Sequence, residues 1–198
     1  MKIKDIDKNA FLQKLEIIAE KYEPQKDEYF YKNTYPYFID YFKNIDKIKM
    51  EHFIIGLSFT YSWMPTIPSN SNFSNGDEVT KILNKAKLGE VLLSEYELGK
   101  LQIACNNSLI GVSKLLHFIN PHKYGIWDRK VTKFLNNGNI FYKYNAENYL
   151  AYLLFLNELK NEPMFKNIFE PMKQKVGNIS EYRALELIFF NANKYEGK

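Results

Sequence analysis

Lys114 and Asp128 are the two side chains of this sequence whose types and placing could do covalent chemistry together. The stretch from Gly111 to Val131, GVSKLLHFINPHKYGIWDRKV, reads as a helix, a proline turn, a short extended step and then an aspartate at the mouth of the next helix. Lys114 lies on the first helix and Asp128 opens the second, in a run that is otherwise mostly apolar. An amine attacks an electrophilic carbon only when neutral, which requires burial or a neighbouring group to lower its pKa. A carboxylate can stabilise developing positive charge, or orient or deprotonate a nucleophile. Both residues also have plain structural readings. An aspartate ahead of Arg129-Lys130-Val131 is a good helix N-cap, and a lysine is almost never buried unpaired, so Lys114 taken alone reads as solvated. His117 falls one helical step from Lys114 and can share its face.

The elements that must position this pair are helical. Phe11, Leu12, Leu15, Ile18, Ala19 and Tyr22 recur at three- and four-residue steps, and Pro24 ends that helix. The following segment places eight aromatics between Tyr29 and Phe42, read either as a stacking platform for single-stranded bases or, more simply, as the aromatic side of a helical core. A helix over about 47–61 stops at Trp63-Met64-Pro65-Thr66-Ile67-Pro68. Ser69 to Asp77 has turn-forming composition and marks a junction between an N-terminal lobe, 1–68, and a central and C-terminal region, 69–198. Glu78 to Lys87 is a short helix, Ser94-x-x-Glu97 a capping box, and Ser108 a cap for the helix that carries Lys114. Beyond a polar loop from Asn136 to Asn145, helices are expected at Ala146–Leu159, Met164–Lys175 and Ser180–Asn193. Arg183 and Glu186 read there as a structural i,i+3 pair. With no glycine-rich phosphate loop and no strand alternation, the expected fold is all-α, a multi-helix bundle of one domain or of two lobes around a cleft.

Composition narrows the function classes. A chain of 198 residues can bury a substantial core. The formal charge of +4 permits a phosphate-backbone partner without demanding one. Cys105 is the one cysteine, so no intramolecular disulfide is possible, and with His52, His117 and His122 it makes no metal-ligand pattern. The start, MKIKDIDKNAF, is charged where a signal peptide would be apolar, and no apolar run approaches the roughly 20 residues that span a bilayer. A soluble, cytoplasmic protein without metal or organic cofactor is expected, with a monomer favoured.

Gly111-Val112-Ser113-Lys114 and Ile126-Trp127-Asp128-Arg129-Lys130-Val131 together resemble the motif of helix–hairpin–helix DNA glycosylases. In that superfamily a GVG-x-K turn precedes a helix, and a P-V-D-x-x-V step follows after an apolar stretch. The segments YSWMPTIP, SKLLHFINP and YRALELIFF are similar to small, divergent bacterial proteins described as 8-oxoguanine-DNA-glycosylase-like. The family's hairpin carries two glycines where this chain has Gly111, and the family's lysine lies further upstream, which falls near Leu109 or Ile110 here. The resemblance implies excision of a flipped modified base from duplex DNA, with Asp128 and Lys114 as the catalytic pair. It implies walls for the base from Trp127, Trp63, Tyr61, Phe118 and His117. It also implies contacts to the DNA backbone from Gly111, Ser113, Arg129, Lys130 and Lys133. Without a lysine in the nucleophile's place, water would attack and no lyase step would follow. The alternative, from a different class, is a non-catalytic helical module that binds DNA or a protein.

Overall fold

The computed structural model describes residues 6–24, 29–64, 66–139 and 143–195. The expected leader-free start and the 136–145 loop therefore lie partly outside the described residues, and Pro65 lies wholly outside them. The chain forms α1 (Lys8–Lys21), α2 (Tyr29–Lys43), α3 (Met50–Ser62), α4 (Gly76–Leu88) and α5 (Glu95–Ala104). It continues through α6 (Leu109–Ile119), α7 (Arg129–Leu135), α8 (Ala146–Lys160), α9 (Phe165–Val176) and α10 (Glu181–Asn191). No strand occurs among the described residues, so the all-α class holds.

Local chemistry sets the helix boundaries. Asp7, Ser94, Ser108, Asp128, Asn145 and Ser180 each turn a side-chain oxygen to the amides of the first turn that follows, supplying partners that the helix lacks. The Ser94–Glu97 capping box forms in both directions. α4 has no side-chain cap, but Asp77 and Glu78 lie in its first turn and Lys85 and Lys87 in its last, matching the helix dipole. Its left-handed Gly89, φ 67°, closes the C-terminus.

Two helices act as hubs. α6 is buried on every side except at Ile110, as expected of a helix that is apolar all round, and α2, α3, α4 and α5 pack on it. α10 is the second buried hub and gathers α1, α7, α8 and α9. This grouping differs from the boundary expected at Ser69–Asp77. That segment is a loop that leads into α4, but α1 sits with α9 and α10 rather than with α2 and α3, and the helices on both sides of the loop share one core. Helix periodicity shows that an element has an apolar face without showing which distant element will cover it. No helix among the described residues is long and apolar enough to cross a membrane.

The α6 hub depends on a close approach at Gly56 of α3. A Cβ there would press on the Phe42 ring and lie 2.8 Å from Leu115 Cδ1, and both side chains are fully buried. Gly56→Ala gains up to about 1 kcal/mol of helix propensity, whereas overpacking a dense core costs about 1–3 kcal/mol. The net expectation is a lower Tm in thermal unfolding. A variant that melts at or above the wild-type temperature would mean that α2 and α6 yield at this contact.

Candidate active site

A cleft of about 790 Å³ opens between the two hubs. One wall comes from α2 and the end of α3, with Tyr31, Tyr35, Tyr61 and Trp63. The α5–α6 turn and α6 add Asn106, Ser108, Ile110 and Lys114. Asp128, Arg129 and Lys130 enter from the start of α7, and Ser180, Arg183 and Glu186 from α10.

Lys114 is not the solvated lysine that its residue type suggests. It is 8% exposed, and its Nζ donates to the Trp63 carbonyl at 3.2 Å. Burial pulls the ammonium below the usual lysine range and Arg183 adds to that, while the carboxylates of Asp128 and Glu186 pull the other way. Lys114 is thus inside the cleft with carboxylates near it. Ile110, one turn earlier on the same face and close to where the family's spacing would put its lysine, also lines the cleft.

Asp128 caps α7 through one oxygen. Oδ1 accepts from the amides of Lys130 at 2.9 Å and Val131 at 3.2 Å. Both cap bonds fall on that atom, and the half-buried side chain lines the cleft, so capping and a role in the cleft are compatible. Ser113 holds the backbone just before it: its hydroxyl accepts from the Trp127 amide at 3.0 Å and donates to the Ile110 carbonyl at 2.8 Å.

Sequence reasoning set aside Arg183 and Glu186, yet both belong to this site. They form a buried ion pair, 6% and 3% exposed, and both line the cleft. The Arg183 guanidinium lies 4.9 Å from the Tyr35 ring centre and 5.2 Å from that of Trp63, in cation–π range. Charges on a helix with almost no solvent-facing side must be paired, because an unpaired buried charge is costly. The available signal was Arg-x-x-Glu inside the apolar run YRALELIFF. Tyr35 was likewise present only as one member of the aromatic cluster of α2, in which Tyr31, Phe38, Tyr41 and Phe42 also pack into the core while Phe30 and Tyr37 are exposed.

His117, expected as a pocket wall, is fully buried and does not line the cleft. Its Nδ1 lies 2.7 Å from the Tyr124 carbonyl, which can only accept, so Nδ1 carries the proton. Nε2 then accepts from the Tyr35 hydroxyl at 2.9 Å. His117 therefore fixes a wall residue from behind. Burial, reinforced by Arg183, pushes its pKa down to about 3, so it is neutral at physiological pH. The folded state binds this proton less readily than the unfolded chain, whose histidine titrates near 6.5. The stability contribution is therefore complete above about 6.5 and is lost as pH falls toward 3. Relative to His117→Gln, the wild type should lose on the order of 3 kcal/mol between pH 7 and pH 4 in urea unfolding. Parallel pH curves for the two proteins would show that His117 is not held neutral.

The other expected positions divide. Trp63 and Tyr61 line the cleft, with Trp63 Nε1 donating to Thr34 Oγ1 and the Tyr61 hydroxyl to the Cys105 carbonyl, each at 3.0 Å. Trp127 and Phe118 do not line it. Trp127 is fully buried against Tyr144, Tyr149 and Tyr152, and Phe118 is fully buried against Phe38 and Trp63. Neither can face a ligand without opening the core. Arg129 and Lys130 are exposed at the mouth beside Lys32 and His122, and Lys130 Nζ sits 4.0 Å from the Phe190 ring centre. Lys133 is exposed but stands off the cleft.

Gly111 and Ser113 are both buried within α6, where neither can meet a DNA backbone. The reversal that the resemblance assigned to Gly111 occurs earlier, where Asn106 and Asn107 both take left-handed backbone, φ 56° and 55°. Asparagine is among the few residues that tolerate this conformation and can stand in for glycine. The Asn70 amide donates to Asn106 Oδ1 at 2.7 Å and steadies the turn.

No family model, curated protein or solved structure matches this chain.

Proposed function

We propose that this chain is a DNA glycosylase-like enzyme that draws a modified base out of the duplex and cleaves its bond to deoxyribose. The observation that carries the reading is the placement of Lys114 and Asp128 in one aromatic-walled cleft of about 790 Å³, a size suited to a nucleoside. A flipped base needs flat apolar walls, and Trp63, Tyr35, Tyr31 and Tyr61 offer them. Lys32, Arg129 and Lys130 are exposed at the mouth, and in this reading they meet phosphates.

The chemistry follows from the pair. As the bond from C1′ to the base nitrogen breaks, its electrons leave with the base, which takes up a proton, and positive charge builds on the sugar. The Asp128 carboxylate stabilises that charge. The Lys114 amine, once neutral, gives its lone pair to C1′ and forms the new C1′–Nζ bond. The C1′–O4′ bond then breaks as Nζ loses a proton and O4′ gains one, which opens the sugar ring to an imine that borohydride reduces to a stable amine. Burial lowers the Lys114 pKa, which raises the neutral fraction of the amine that this route requires.

The test is an excision assay on duplex oligonucleotides that carry a panel of modified bases, with borohydride added in parallel. Base release that Asp128→Asn abolishes supports the enzyme. DNA binding without release from any substrate, unchanged by that substitution, would instead identify a non-catalytic module with Asp128 as a helix cap.

A further inference from the structure

We infer that the buried Arg183–Glu186 pair controls the proton on Lys114, so that α10 sets the reactivity of an amine carried by α6. The inference rests on the reading of Lys114 as a nucleophile, and it extends that reading to two residues acting through another. They are positioning residues rather than catalytic ones.

The geometry converges on Trp63. Lys114 Nζ donates to the Trp63 carbonyl while the Arg183 guanidinium lies over the Trp63 ring, so two cations approach the same residue from different elements. Glu186 holds Arg183 on α10 and lines the same cleft. With all three side chains under a tenth exposed, water screens their charges poorly. The two members of the pair act on Lys114 in opposite senses: the Glu186 carboxylate favours the ammonium form and the Arg183 cation disfavours it. In the intact pair the two effects oppose each other, and burial is the largest influence on the protonation state. A change to one member alone unbalances it.

The other groups around Lys114 stay constant in this scheme. Asp128 faces it from the start of α7 and favours the ammonium. Tyr35 of α2 and Tyr61 of α3 share the cleft and have hydroxyls whose pKa burial raises, so both are neutral. His117 on the same helix is neutral as well. Lys32, His122, Arg129 and Lys130 stand at the mouth, exposed to solvent.

The experiment reads Lys114 directly in the free protein. Trace acetic anhydride acylates only neutral amines, and mass spectrometry of the Lys114 peptide across a pH series gives its titration, with exposed Lys133 as the internal reference. Wild-type Lys114 should reach half-maximal labelling below the ordinary lysine value of about 10.4. Glu186→Gln leaves Arg183 uncompensated and should raise Lys114 labelling at neutral pH on the order of tenfold. Arg183→Met removes the opposing cation and should lower it. The double variant Arg183→Met/Glu186→Leu has no buried charge left on α10, a replacement that proteins tolerate, and should label within about threefold of wild type. Loss of packing alone would move all three variants the same way, and that outcome overturns the inference. If a single variant does not fold, the double variant decides, because labelling outside that range there overturns the inference too. The glycosylase reading is judged separately by base release: opposed changes in labelling with no release would leave the control of Lys114 standing and remove its proposed use.

Discussion

Asp128→Asn is expected to lower base release by about 10²–10⁴-fold while leaving the fold intact. The separation is possible because the two tasks of this side chain differ in what they require. The cap uses Oδ1 as an acceptor for the Lys130 and Val131 amides, and an asparagine oxygen can serve equally well. Asparagine and aspartate are close in N-cap strength, so α7 should keep its start, and Tm should move by no more than about 1 kcal/mol of stability would imply. Charge stabilisation at C1′ needs the carboxylate's negative charge, which the amide lacks. Single-turnover rates with matched DNA-binding affinities are the measurement. A variant that retains wild-type rates would reduce Asp128 to its structural role and sink the mechanism.

Lys114→Met is expected to abolish the borohydride-trapped adduct altogether, since no other amine lies at this depth of the described cleft. Methionine fills a similar volume without a charge. Burial holds the folded lysine's pKa below its unfolded value, so carrying the charge costs the folded state stability at pH values below that lowered pKa. Removing the group should therefore keep or raise stability rather than lower it. In the wild type the trapping rate should climb as pH rises through the lowered pKa and level off before the ordinary lysine value of about 10.4. If base release survives in Lys114→Met while the adduct is lost, water is the nucleophile and Lys114 serves a later step. A trapping profile that rises only at the ordinary lysine value would mean that the reacting amine is exposed.

The legible part of this protein is the part written locally. Ser94 with Glu97, Ser108 and Asp128 announce helix starts because a cap and its amides lie within a few residues of each other. The helices of the C-terminal region follow from periodicity for the same reason. Local pattern does not tell which side of an all-apolar helix meets the cleft. On α6, Lys114 faces in, whereas His117 and Phe118, one turn on, support the walls from behind. Trp127 beside Asp128 turns the other way, because an extended step sends neighbouring side chains to opposite faces. Arg183 and Glu186 read as an ordinary i,i+3 pair until α10 is seen to be enclosed by α1, α7, α8 and α9. The turn before α6 is legible from Ser108 as a cap, but the glycine pattern of the resemblance points to Gly111 instead, because two asparagines take the left-handed backbone that glycines usually supply.

The packing of α1 against α9 and α10 has a consequence for how the protein is made. A ribosome delivers helices in chain order, and α2 through α5 can begin to collapse around α6 while the remainder is still being synthesised. The partners of α1 are among the last described helices to emerge, so the first helix must wait for them. During that interval the nascent chain displays Lys114 without the α10 wall and without the Arg183–Glu186 pair. Such an amine is a hydrated, protonated and inert lysine. On the proposed reading, its environment as a nucleophile is completed only when the two distant segments of the chain close over it.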